Sequence, residues 1–499
     1  MSTPPLASGA EGPDSLRPLL DTVLDALTDG AHARGGPLPA GGPETVAQRV
    51  RDAAGDVLPD KGDPNALYDL VRALAEGAAD PAHPHCAAHL HCPPLAVATA
   101  ADLAVGALNP SLDSWDQAPA ASALEALVTR TLAAEIYGGA EASEPKGRAC
   151  VEGVSARRPE RSSTVAVSTQ AAAPRRRTEP PKKGDALVTT GGTESNQLAL
   201  LLAREAHPGV RLVCGANAHH SLPRAAWLLG LPEPVIVPAP AGTLDPAALD
   251  EALTELPGPR GSLLVAATAG TTDAGLIDPL PQIAALCAAH GARLHIDAAY
   301  GGGLLFSERH RPKIAGLEHA DTVTLDLHKL GWQPVAAGLL AVKNPDDLTA
   351  LAHHADYLNA DDDTEAGLPD LLGRSLRTTR RPDILKIAVT LKTLGRHGLG
   401  TLVDQVCAHA HEFARQVQAH PGFELHDAPT ISTVLFRPTR ATDDAVAAVR
   451  RQLLHEGRAV LGRAHLDGRL WLKVTLLNPH TRPDDLAALL KLVEGNTSR

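Results

Sequence analysis

The chain has 499 residues, 44% hydrophobic and 21% charged, the balance of a globular protein with material for two or three domains. Its formal charge of −12 argues against general nucleic-acid binding, and no run of about 18 apolar residues offers a membrane span. Aromatics are only 2%, so the core must rest on Leu, Val and Ala.

Residues 1–15 are expected to form a disordered tail, without the basic and apolar regions of a secretory signal. Helical periodicity starts near Ser15 and recurs at 43–57 and 65–78, with Pro and Gly clusters between. This predicts a helical N-terminal region over 1–98. The stretch 141–183 is rich in Arg, Pro and Ser and predicts a disordered surface insertion. A sharper reading makes it a basic docking segment for an acidic partner. From 185 strands and helices alternate: DALVTT, VRLVCG, SLLVAAT, ARLHID and TVTLDL are apolar strands, with helices such as ESNQLALLLAREA between them. That pattern predicts a mainly parallel sheet in a large domain over 99–385. Helices at 385–396 and 402–418, two further strands and two further helices predict a smaller α+β domain over 386–499. Six cysteines scattered along the chain read as reduced thiols of a cytoplasmic protein.

The strand ends carry the chemistry, because ligands of an open α/β sheet bind beyond the C-terminal ends of its strands. DALVTT runs into Gly191-Gly192-Thr193 and then a helix. Two glycines allow close backbone approach, and a helix N-terminus offers unpaired N–H groups to an anion. Asp297 ends ARLHID, where a carboxylate is costly without a partner; a protonated pyridine nitrogen would be one. Lys329 follows TVTLDLH, and partial burial would make it a better nucleophile. An anion cradle, an anionic partner for a pyridine nitrogen and a lysine together suit pyridoxal phosphate. Each alone also has a bland reading, as a tight turn, a turn cap or a surface lysine.

The segments HLHCPPL (89–95), TTGGTESNQLALLLAR (189–204), AHHSLPRAA (218–226), ATAGTTDAGLIDPL (267–280), HIDAAYGGGLL (295–305), DLHKLGWQP (326–334) and KVTLLNP (473–479) resemble the group II pyridoxal-phosphate-dependent amino-acid decarboxylases. The resemblance implies the fold-type-I fold of that family, an α/β fold with a mainly parallel seven-stranded sheet. It implies that Lys329 holds the cofactor covalently and Asp297 pairs with its pyridine nitrogen. His219 would stack on the ring, with Thr268 and Ala299 also against it. Gly192 and Thr193 would contact the phosphate, helped by His328 and Asp326. Lys473 stands where related glutamate decarboxylases place an arginine toward the substrate carboxylate, and His91 lies in a segment near the substrate pocket. A homodimer with active sites at the interface is implied as well. The family's mobile loop corresponds to 357–376, and its only tyrosine here is Tyr357, where aromatic amino-acid decarboxylases use a loop tyrosine as proton donor. Gly331-Trp332 replaces two phenylalanines of diaminobutyrate-type members and is expected to reshape the pocket.

The expected reaction is decarboxylation of an L-amino acid, with L-2,4-diaminobutyrate or a similar basic amino acid as substrate. Lysine, glutamate or aspartate remain open, as does another fold-type-I reaction such as transamination or decarboxylating aldehyde synthesis. His83, His85, Cys86, His89, His91 and Cys92 do not match a zinc-ligand spacing, so no metal is expected.

Overall fold

A computed structural model describes residues 4–138, 184–256, 258–352, 358 and 361–497. The expected insertion at 141–183 and Tyr357 lie outside the described residues. The N-terminal helices are Gly12–Arg34, Gly42–Ala54 and Ala66–Gly77. The first of them begins inside the expected tail. Pro13 sits in its first turn, where a missing N–H costs nothing and the fixed φ already suits a helix.

Seven strands form the large sheet: β1 (Asp185–Thr189), β2 (Arg211–Gly215), β3 (Val235–Val237), β4 (Leu263–Thr268), β5 (Arg293–Ala298), β6 (Thr322–Asp326) and β7 (Gly338–Val342). Their order is β1-β7-β6-β5-β4-β2-β3. β7 runs antiparallel to both its neighbours and the other pairings are parallel. The sheet is therefore mainly parallel, and β1 points the same way as β6. β4, β6 and β7 are buried along their whole length and β5 from its second residue onward, as expected of strands covered by helices on both faces. A smaller antiparallel sheet, ordered β10-β11-β9-β8, joins β8 (Phe423–Leu425), β9 (Thr433–Pro438), β10 (Gly462–Leu466) and β11 (Arg469–Thr475).

The two helices expected at 385–396 and 402–418 are one element, Ile384–Ala419, broken at Gly395, whose φ of 63° is open to glycine and strained for other residues. Its part before the break packs into the large-sheet core with Ile387, and the turns after the break continue that packing with Leu399 and Val403. Its C-terminal end packs against the small sheet with Phe413 and Val417.

A buried ion pair ties the Pro119–Tyr137 helix to the segment entering that long helix. Arg380 donates to both carboxylate oxygens of Glu125, at 2.6 and 2.7 Å. Both side chains are almost fully buried. Truncating one partner leaves the other charge buried alone, at a cost of about 3–5 kcal/mol. Glu125→Ala is therefore expected to lower stability by that order in urea unfolding. A change within about 1 kcal/mol, the range of an exposed pair, would show that the charge is solvated after all.

Candidate active site

The C-terminal ends of β1, β4, β5 and β6 open onto one cavity of about 360 Å³. Register across the centre aligns Thr268 with Asp297 and Asp297 with Thr324. Asp297 thus stands mid-sheet and 5% exposed. Its carboxylate accepts from the N–H of Ala299 at 3.0 Å and from Asn196 Nδ2 at 2.8 Å. These bonds support a buried anion while leaving lone pairs for another donor.

The Gly192–Ala206 helix starts straight after β1. A Cβ on Gly191 would sit 2.9 Å from His328 Cε1, and one on Gly192 would sit 3.0 Å from Ala299 Cβ. Glycine here keeps the helix N-terminus open. Glu194 clamps the turn by accepting from Thr190 N–H at 2.6 Å and Thr190 Oγ1 at 2.8 Å.

β6 delivers Asp326, His328 and Lys329. Asp326 Oδ2 accepts from Gly192 N–H at 3.2 Å and lies 3.8 Å from Lys329 Nζ. Asp326 Oδ1 lies 2.6 Å from His328 Nδ1. His328 and Lys329 are half-buried, so both can meet a ligand.

Gly192, Thr193, His219, Thr268, Asp297, Ala299, Asp326, His328 and Lys329 all line the cavity, so nine of the eleven expected residues come together. The two assigned to the substrate do not line it. Lys473 Nζ donates to the carbonyl of Thr272, a lining residue, at 2.9 Å. Burial holds its pKa below the usual lysine range. His91 is exposed beside the cavity, its pKa lowered by burial of part of the ring and then by the charge of His328. Trp332 does not line the pocket. It is 1% exposed in the core, and its indole N–H donates to the Leu477 carbonyl at 2.8 Å.

Several supporting residues escaped the sequence reading. Asn196 and Ser221 are buried behind the cavity and bonded to each other at 2.9 Å. Asp278 is buried and accepts from Thr268 N–H at 2.7 Å, Leu244 N–H at 2.8 Å and Asn217 Nδ2 at 2.8 Å, which fixes the end of β4. Burial raises its pKa, against the pull of those three donors. The only available signal was a carboxylate inside an otherwise apolar stretch, LIDPL.

The residues fit pyridoxal phosphate. Gly191 and Gly192 leave a cradle that side chains would fill. The hydroxyl of Thr268 is buried on the cavity wall without a protein partner. An anion, Asp297, and an amine, Lys329, share the same wall. Among the described residues no three His, Cys, Asp or Glu side chains gather as a metal ion would need.

A family model described as the pyridoxal-dependent decarboxylase conserved domain matches residues 48–439. The chain is 38% identical to an L-2,4-diaminobutyrate decarboxylase of Rhizobium meliloti (strain 1021), covering 89% of this chain and 84% of that protein. It is 31% identical to an L-2,4-diaminobutyrate decarboxylase of Acinetobacter baumannii, covering 84% and 80%. Among solved structures, the glutamate decarboxylase domain of diaminobutyrate-pyruvate transaminase and L-2,4-diaminobutyrate decarboxylase from Vibrio parahaemolyticus matches 99% of this chain and 97% of its own, with TM-score 0.80 and 29% identity.

Proposed function

Because the chain belongs to the pyridoxal-dependent decarboxylases, and is thus a pyridoxal-phosphate-dependent amino-acid carboxy-lyase, we propose that it converts L-2,4-diaminobutyrate, or a similar basic L-amino acid, to the amine and CO2. The observation that carries this substrate reading is the 38% identity to the Rhizobium meliloti protein over most of both chains.

In this reading Lys329 would hold the cofactor through its amine, and the turn at Gly192 and Thr193 would receive the phosphate beside His328 and Asp326, with Asp326 Oδ2 already bonded to the Gly192 N–H. Asp297 would pair with the pyridine nitrogen, and His219, Thr268 and Ala299 would hold the ring. When bound, pyridoxal phosphate supplies an electron-withdrawing ring that accepts the electrons left as CO2 departs. Asp297 keeps a proton on the ring nitrogen and so keeps the ring withdrawing. His219 and Ala299, on the cavity wall, would position the substrate-bearing ring, an orientation contribution. Lys329 would be the residue that holds the cofactor between turnovers. Lys473 acts from behind Thr272, and His91 from the exposed approach beside His328.

We also propose a cytoplasmic homodimer. The described cysteines are all free, which suits a reducing compartment. Among the described residues no helix is long and apolar enough to cross a membrane. Leu24 and Leu74, on two of the N-terminal helices, are 60% and 70% exposed and would be covered in a dimer.

A panel of L-amino acids assayed for CO2 tests the substrate, and light scattering on the same preparation tests the dimer. L-2,4-diaminobutyrate should give the highest kcat/KM, with acidic amino acids at least about tenfold lower, the discrimination worth about 1.4 kcal/mol. A faster acidic substrate would overturn the substrate assignment. Keto-acid without CO2 would overturn the assigned reaction. A monomer mass would overturn the dimer.

A further inference from the structure

One buried amide connects the ring-facing histidine with the anion that faces the pyridine nitrogen. Asn196 is fully buried, and each of its polar atoms is bonded. Nδ2 donates to Asp297 Oδ2 at 2.8 Å and to Ser221 Oγ at 2.9 Å. Oδ1 accepts from the Thr324 hydroxyl at 2.8 Å and faces His295 Nε2 at 3.0 Å. The reverse orientation would set its oxygen against a carboxylate, so the amide has one sense.

That sense orients the next link. Ser221 Oγ already receives a hydrogen from Asn196, and it lies 2.8 Å from His219 Nδ1. The hydroxyl hydrogen is left for Nδ1. The backbone N–H of Ser221 also donates to Nδ1, at 3.3 Å. A backbone N–H can only donate, so Nδ1 is an acceptor and carries no proton. Ser221 opens the Ser221–Leu228 helix, whose positive end further disfavours a proton there.

We infer that Asn196 and Ser221 are positioning residues that hold His219 as the neutral imidazole with its single proton on Nε2, while the same amide supports the charge on Asp297. The inference rests on the proposed placement of His219 against the cofactor ring. Its purpose follows from charge. A pyridine ring kept protonated by Asp297 is a cation, and an imidazolium stacked on it would repel it. A neutral ring stacks without that penalty. The charged and titratable groups near His219 are Asp297, His220 and Lys329. Asp297 alone favours protonation, and burial together with the other two opposes it.

The test uses Ser221→Ala, which removes the hydroxyl donor and leaves the backbone donor in place. Side-chain 15N spectra of the cofactor-free protein, with His219 assigned by difference against His219→Gln, should show an unprotonated Nδ1 and a protonated Nε2 down to about pH 6. In Ser221→Ala the His219 pKa should rise, so its resonances should titrate at higher pH than in wild type. Cofactor affinity measured by equilibrium dialysis should then fall about tenfold more between pH 8 and pH 6 in the variant than in wild type, the factor of one pKa unit. Ser221→Thr should restore both readouts. A protonated Nδ1 in wild type, or superimposable pH profiles for wild type and Ser221→Ala, would overturn the inference. His219→Ala separates the two readings: unchanged cofactor affinity there would refute stacking on the ring, while the tautomer is judged from the cofactor-free spectra.

Discussion

Lys329→Ala is expected to lower kcat/KM for CO2 release by at least about 10⁴-fold, the scale on which loss of a covalent-catalysis group acts. The side chain leaves the end of β6 half-buried on the cavity wall. Its nearest charged partner is Asp326 Oδ2 at 3.8 Å, too long for a hydrogen bond. Among the described residues, the amine therefore has no hydrogen bond that a covalent step would have to break. The same looseness predicts that the variant folds. Asp326 keeps its contact with His328 and its bond from Gly192, so the urea midpoint should stay close to wild type. The absorbance of the protein with added cofactor gives a second readout, since the variant should lose the long-wavelength band of a covalently held cofactor. Activity within about tenfold of wild type would remove Lys329 from the chemistry.

Asp297→Asn is the second large effect, with an expected fall in kcat of about 10³-fold, as for loss of a major electrostatic contribution. Two things change together. The neutral amide no longer holds a proton on the ring nitrogen. It also places an NH2 group where one oxygen now accepts, from Asn196 at 2.8 Å or from Ala299 at 3.0 Å. Two donors then face each other in a buried position, which costs about 1–3 kcal/mol. The variant should thus be measurably less stable, unlike Lys329→Ala. Urea unfolding and steady-state kinetics separate the two effects. Loss of stability with kcat intact would leave Asp297 a structural residue only.

Both of these sites are legible in the sequence. Lys329 and Asp297 each end a short apolar strand, and the jump from buried apolar residues to one polar residue is visible within about six positions. Gly191-Gly192-Thr193 is similarly local, a strand–turn–helix junction. Asn196 gives no such signal. It sits in an ordinary helical run, and its partners Ser221, Asp297 and Thr324 lie 25, 101 and 128 residues away. Ser221 is read only as part of AHHS, where its two neighbouring histidines draw the attention.

Trp332 shows the opposite failure. Beside the lysine in sequence, it was expected to shape the pocket, yet the chain turns it into the core against Leu477. Its φ of 52° lies in the left-handed region, so the alternation of a strand no longer tells which way the side chain faces. Lys473 lies on a strand whose alternation is legible, but whether its ammonium reaches substrate or the Thr272 carbonyl depends on a loop 201 residues away. β7 was also missed. GLLAV is a short apolar run whose direction nothing local specifies, and it pairs antiparallel between β1 and β6.

The alternating strands and helices, and the strand-end positions of Gly192, Asp297 and Lys329, are legible from local residue patterns. Hydrophobic period and turn chemistry act over a few residues, so they can be read from a few residues. Packing of the whole chain placed β7 between β1 and β6, turned Trp332 into the core, and joined Asp297 to His219 through Asn196 and Ser221. Those outcomes depend on register between strands distant in the chain, and register is set by packing the whole sheet at once.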